Sequence, residues 1–394
     1  MWLIAFTWFV LLVGTGFVFP YFGLYLTQTA KLTGTEAGIV LATIPIVSVF
    51  VQPLLAALSD RSGARTRVLS GLAFASACAL LLIYRASGFW PLVLATALYA
   101  ACSVTLAPGL WAVSFALISA ISPRAMGYAR GAGTLGFGVA VVSFPWLSSW
   151  LSTSGIIPSS HSALSSIFPL AALATLIAAF AFSRLPRTAE ATRRASMKEL
   201  ATIAKNGPFL RLLLLMFLAF FCFHGPTIFF PVLIQAHGGG VGAISHMWLL
   251  MLVLEVPLVL SFGWSVSKLG VRWVVFIGLL AGALRWLLTG WLTDMTWISF
   301  VQVLHGVTVW GTVLGGTTYA DRQVQANQRS TAQSLVSVVS AGLGGMCSSF
   351  ASGWLVDHLG PQAPALFGGG LGLLIALSVW WLLPEQRVAE STQG

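Results

Sequence analysis

A chain of 394 residues, 57% of them hydrophobic and 8% charged, is not a water-soluble globular protein, in which about 25% of residues are charged. The net charge of +10 would suit nucleic acid. However, the basic residues gather in short breaks between apolar runs, which excludes a nucleic-acid groove.

Twelve apolar runs of spanning length follow one another along the chain. The predicted helices cover 2–27, 36–57, 68–84, 90–118, 123–150, 163–183, 207–234, 243–263, 272–293, 296–319, 330–356 and 363–384. The first run lacks a charged leader and a cleavage site, so it reads as a span and not as a signal peptide. Cys78, Cys102, Cys222 and Cys347 lie in apolar runs without metal-ligand spacing and read as small buried hydrophobes. Neither a metal nor a cofactor is expected.

The breaks alternate in charge. Those after even-numbered spans, with the C-terminal tail, carry sixteen of the twenty Lys and Arg, whereas those after odd-numbered spans carry only Lys31 and Arg85. This asymmetry predicts that both termini are cytoplasmic and that the basic loops meet anionic lipid headgroups. The longest polar break, SRLPRTAEATRRASMKELATIAKNGPF at 183–209, follows the sixth span. The expected architecture is therefore an all-α integral membrane fold in two pseudo-symmetric six-helix halves, 1–184 and 207–384. A basic cytoplasmic linker, 185–206, joins them, and 385–394 forms a cytoplasmic tail. Compact loops point to a bacterial inner (plasma) membrane, and the architecture needs no second subunit, so a monomer is expected.

A short echo supports the duplication. LSDRSGARTRV at 58–68 follows the second span and SVSKLGVRWVV at 265–275 follows the eighth. Aligning Gly63 with Gly270 pairs Arg61 with Lys268 and Arg65 with Arg272. A carboxylate and arginines in a tight turn can hold a neighbouring helix end in one conformation and release it in another. Asp60, Arg61, Gly63 and Arg65 are thus candidate gate residues. This stretch resembles the loop motif of the major facilitator superfamily, with Ala56 in place of the first Gly.

Charges deep in an apolar run default to functional candidates. Glu255 lies in WLLMLVLEVPLVLSF, Arg285 in ALRWLLTGW and His305 in VQVLHGVTVWGT, each near the middle of its span. Glu255 is expected to pair with Arg285, with His305 sharing the proton. Arg130 follows a helix start at Ser122 and Pro123 by roughly two turns, and is a candidate ligand for an anionic or hydroxyl-rich solute. Trp111, Trp286 and His224 are candidate cavity-wall residues, and an aromatic wall with arginines suits an aromatic carboxylate, nucleoside or glycoside.

FCFHGPTIFF at 221–230, Glu255, Arg285–Trp286, QVLHGVT at 302–308 and GYARGAGTLGF at 127–137 resemble the lactose permease-like branch of that superfamily. Its phenylpropionate and nucleoside permease-like members are the nearest in flavour. The resemblance implies solute-binding positions at Arg130, Arg285, Gln302 and Thr308, and proton coupling at Glu255 and His305. Two positions depart from the branch pattern. Trp111 falls near its fourth-helix sugar-binding carboxylate, and Thr308 replaces the carboxylate three residues after the tenth-helix histidine.

GAGTLG at 131–136 matches a dinucleotide fingerprint but lies inside a span with no strand before it, and no P-loop is present. An intramembrane enzyme lacks a clustered loop-borne site and is not the expectation. The sequence predicts a secondary transporter of a small organic solute, an aromatic or other organic acid or a nucleoside-like molecule, by proton symport. A proton-coupled sugar importer and an efflux permease for amphipathic compounds are the alternatives.

Overall fold

The computed structural model describes residues 1–61, 64–118, 123–155, 162–186, 202–203, 205–325 and 328–384, without the side chains of residues 56, 57, 59–61, 123 and 124. Gly63, Ser122, the side chains of Asp60 and Arg61, most of the linker and the tail lie outside the described residues. Among the described residues there is no strand.

Also among the described residues, twelve helices are long and apolar enough to cross a membrane: α1 Trp2–Thr29, α2 Gly34–Leu55, α3 Arg65–Arg85, α4 Phe89–Ile118, α5 Ala125–Thr153, α6 Ala163–Arg184, α7 Gly207–Ala236, α8 Val241–Leu269, α9 Val271–Trp291, α10 Met295–Gln323, α11 Arg329–Leu359 and α12 Ala363–Leu382. Helical structure continues past α2 to Arg61 and precedes α5 from Pro123. Starts are set by familiar chemistry. Asn206 caps the first turn of α7 by accepting from the Phe209 amide. Asp294 does the same for α10, and the amides of Trp297 and then Thr296 hold its carboxyl below the usual carboxylate range. Cys102 and Cys222 are buried as expected, whereas Cys347 is half-buried and Cys78 is exposed; in a membrane an apolar thiol needs no burial.

The packing repeats with an offset of six. Helix α1 packs on α5 and α6, α3 on α6, and α2 on α4, while α7 packs on α11 and α12, α9 on α12, and α8 on α10. Contacts between the halves are made by α2 with α11, α5 with α8, and the end of α1 with α7, again a symmetric set.

These cross-half contacts gather on the face away from the basic loops. The Val141 carbonyl on α5 accepts from Ser245 Oγ of α8 at 2.6 Å and from Tyr21 of α1 at 3.3 Å. At the start of α2, Asp357 of α11 accepts from the amides of Gly34 (2.6 Å) and Thr35 (2.7 Å) and from the Thr35 hydroxyl (2.6 Å). The two helices can meet there because a Cβ on Gly38 would stand 2.6 Å from the Ser349 carbonyl and 3.1 Å from the Gly353 Cα; only glycine permits that approach.

Towards the basic loops the halves separate. Gly127, Gly131 and Gly138 lie on one face of α5 by their spacing. A Cβ on Gly138 would touch Leu252 of α8 at 3.8 Å, while Gly131 and Gly127 have nothing within 4 Å. Gly263, about three turns further along α8 than Leu252, is equally open. Helices α5 and α8 therefore form a V, and the cavity between the halves opens on the basic-loop face.

Candidate functional site

The cavity wall in the second half is built around the centre of α8. Glu255 is fourteen residues from either end of Val241–Leu269. Gly306 brings α10 against it, since a Cβ there would stand 2.7 Å from the Glu255 amide nitrogen. Within α10 the amides of Gln302, Val303 and His305 bond three residues back, to Ser299, Phe300 and Gln302. A π-helical turn follows at Val309–Leu314. Such departures from α geometry re-aim side chains, and here both Gln302 and His305 face Arg285 of α9.

His305 Nε2 lies 3.9 Å from Glu255 Oε2, with the two side chains 19% and 25% exposed. Its other ring nitrogen, Nδ1, is 3.0 Å from Arg285 Nη1. Arg285 is only 1% exposed. Its Nε donates to Gln302 Oε1 at 2.9 Å, its Nη2 approaches the Met251 sulfur at 3.4 Å, and the guanidinium lies 4.2 Å from the Trp286 ring centroid. Gln302, fully buried, donates in turn to Thr289 Oγ1 and the Ile298 carbonyl, both at 2.9 Å. The expected Glu255–Arg285 ion pair is therefore not direct: His305 stands between them.

In the first half, Arg130 is exposed on α5, with Nη1 3.3 Å from Thr134 Oγ1 and the guanidinium 5.2 Å from the Trp8 ring. Trp8 is fixed by donating to Ser114 Oγ at 3.0 Å, and Trp111 meets it edge-on at 6.1 Å. Arg130 and Glu255 lie within electrostatic reach of each other across the cavity. The cavity thus offers a cation, a carboxylate and an imidazole. On the closed side it is roofed by Phe19 and Phe137, whose rings lie 5.5 and 5.9 Å from Trp248, itself 6.4 Å from His305.

The sequence candidates divide accordingly. Glu255, His305 and Arg130 converge on the cavity, with Trp111 beside them and 42% exposed. Arg285, Gln302 and Trp286 form a buried layer behind His305 instead of a solute surface; Trp286 packs on Phe230 at 6.1 Å. Thr308 is buried too, donating to the Leu304 carbonyl with its methyl turned to Gly282. His224 lies on α7 against Gly345 of α11, away from this cluster. Arg65 is buried at the start of α3. Sequence reasoning misses Trp248, Phe137 and Trp8. One signal was available: Trp248 and Phe137 stand seven residues from Glu255 and Arg130, and therefore on their faces.

The MFS_1-like family profile matches residues 1–366. The chain belongs to this family, within the major facilitator superfamily. It is 26% identical to the uncharacterized transporter YwbF of Bacillus subtilis over 372 residues, 93% of this chain and 90% of that one. It is also 26% identical to a maltose permease of Geobacillus stearothermophilus over 387 residues, 97% and 94% of the two chains. A 164-residue stretch, 41% of each chain, is 29% identical to a probable 3-phenylpropionic acid transporter of Escherichia coli. A crystal structure of the nucleoside transporter NupG superposes with a TM-score of 0.83 at 16% identity, covering 98% of this chain and 99% of that one. That likeness confirms the fold. The protein is an integral membrane transporter of small solutes and not an enzyme.

Proposed function

We propose that the protein is a proton symporter that imports a small organic solute, an aromatic or other organic acid or a nucleoside-like molecule, by alternating access. The observation that carries this reading is Glu255 at the midpoint of α8, partly exposed to the cavity and opposite Arg130 of the other half. A carboxylate at that depth costs about 2.5–3.5 kcal/mol on insertion scales, so it is retained for what it does. When the halves move, the Arg130–Glu255 separation changes, and with it the carboxylate's affinity for a proton. The solute binds beside the same pair. Arg130 supplies a charge for a carboxylate, and Trp111, backed edge-on by the buried Trp8, supplies an aromatic surface.

With the basic loops cytoplasmic, the cavity faces inward and Glu255 is in contact with cytoplasmic water. A sugar is the second reading, favoured by the nearly full-length match to a maltose permease and by hydroxyl-rich solutes suiting an arginine beside an indole.

The test uses purified protein in vesicles that enclose a pH dye. Aromatic acids, nucleosides and oligosaccharides are added in turn to the outside. The expected result is lumenal acidification with one class only, abolished in Glu255→Gln while labelled solute still exchanges. Solute equilibration with no pH change would make the protein a uniporter.

A further inference from the structure

Arginine has donors only, so the 3.0 Å contact between Arg285 Nη1 and His305 Nδ1 assigns the ring. Nδ1 presents its lone pair, and the proton sits on Nε2, the nitrogen that faces Glu255. The arginine is itself fixed. Its Nε reaches Gln302 Oε1, and the Gln302 amide nitrogen is committed to Thr289 Oγ1 and the Ile298 carbonyl. Turning that amide over would set its oxygen against the Ile298 carbonyl and its NH2 against the Arg285 N–H, so the network determines its orientation. Gln302 and His305 are linked by the tight backbone bond from the His305 amide to the Gln302 carbonyl, which fixes their spacing on α10.

We infer that Gln302 is a positioning residue: through Arg285 it holds His305 as an uncharged Nε2–H donor facing Glu255 and the cavity. The titratable and charged groups facing the ring are Glu255 from α8 and Arg285 from α9; Arg130 of α5 faces Glu255 from across the cavity. A second proton on His305 requires the ring to leave Arg285. In this arrangement His305 therefore donates to the Glu255 carboxylate or to an acceptor oxygen of the solute, and Glu255 is the group that gains and loses the proton. That consequence rests on the proton-symport reading, but the tautomer does not.

The full-length protein is labelled with 15N-histidine in lipid nanodiscs, and its imidazole nitrogens are read by NMR around the ordinary histidine range of about pH 6–7. His305→Gln identifies the resonances of His305 among the six histidines. The wild type is expected to show a single neutral tautomer with bare Nδ1 and protonated Nε2. Gln302→Leu is expected to move His305 to an averaged, titrating position. An Nδ1–H or charged ring in the wild type overturns the inference, as does a folded Gln302→Leu protein with an unchanged His305 signature. Should Gln302→Leu not fold, the wild-type spectrum still decides the tautomer. A correct spectrum with no proton flux in vesicles would defeat the symport reading alone.

Discussion

Arg285 is a cation with 1% of its surface exposed, on a helix, Val271–Trp291, that carries no acid. Neutral dipoles offset its burial. Hydrogen bonds to a charged group contribute about 1.5–3 kcal/mol each, and a desolvated cation–π contact about 2 kcal/mol. Because Gln302, His305 and Trp286 supply these contacts, Glu255 is left unpaired by Arg285 and free to meet a proton or the cross-cavity Arg130. Arg285→Lys keeps the charge but not the fork that reaches Gln302 and His305 together. It would strand at least one buried acceptor, a cost of about 1–3 kcal/mol. The expected outcome is a lower unfolding temperature in detergent, and an unchanged one would mean that the network carries no such weight. The charged members of the site are legible in sequence because a charge in an apolar run is conspicuous. Trp248 and Phe137 are marked only by their seven-residue spacing from Glu255 and Arg130, because an aromatic side chain in an apolar run otherwise resembles its neighbours. Gln302 is noticeable but falls on the wrong surface, since sequence shows that it shares a face with His305 but not that α9 covers it.

At the scale of the helices, hydropathy locates all twelve spans and misjudges their ends. It places α8 over 243–263, whereas the helix runs Val241–Leu269, because Lys268 extends its charge to the interface while its backbone stays helical. The tight turn and the π turn of α10 have no sequence mark, as no proline interrupts that stretch. Nor does hydropathy reveal the α2–α11 crossing, where Asp357 receives the start of α2. Asparagine at this cap position keeps one acceptor oxygen of the two that bind Gly34 and Thr35. A hydrogen bond to a charged group is worth about 1.5–3 kcal/mol, and about 1–2 kcal/mol moves a two-state ratio about 5–30-fold. This cap spans two halves that must part when the face opens. Asp357→Asn is therefore expected to favour the conformation open away from the basic loops. Spin labels at Lys31 and His358 should show the longer separation gaining population roughly five-fold. Gly353→Leu, which places a side chain against the Gly34 carbonyl, should do so more strongly. If neither variant lengthens that distance, the crossing is packing and not a latch.

At the scale of the molecule, the duplication shows far more plainly in packing than in sequence. The Gly63/Gly270 echo is the one stretch that carries it in letters, and only its second copy is described throughout, with Gly270 at φ +78° ending α8. The contacts repeat helix for helix, because each half must bury the same kind of surface around its own axis while most side chains facing lipid are interchangeable. Which face is open could not be legible, since both end states use the same residues and differ by only a few kcal/mol. Here α5 and α8 touch at Val141–Ser245 and diverge towards Tyr128 and Leu260. Rocking about a midplane site couples the two faces with opposite sign: whatever draws the ends of α5 and α8 together must separate α2 from α11. Labels at Tyr128 and Leu260 are accordingly expected to approach one another when transported solute is added, while the Lys31–His358 pair moves apart in the same samples. Solute shifts these populations only by its difference in affinity for the two states, so both pairs should respond over the same solute concentration range. If the Tyr128–Leu260 distance shortened while Lys31–His358 stayed fixed, the closure would belong to the helix ends alone and the two halves would not rock as bodies.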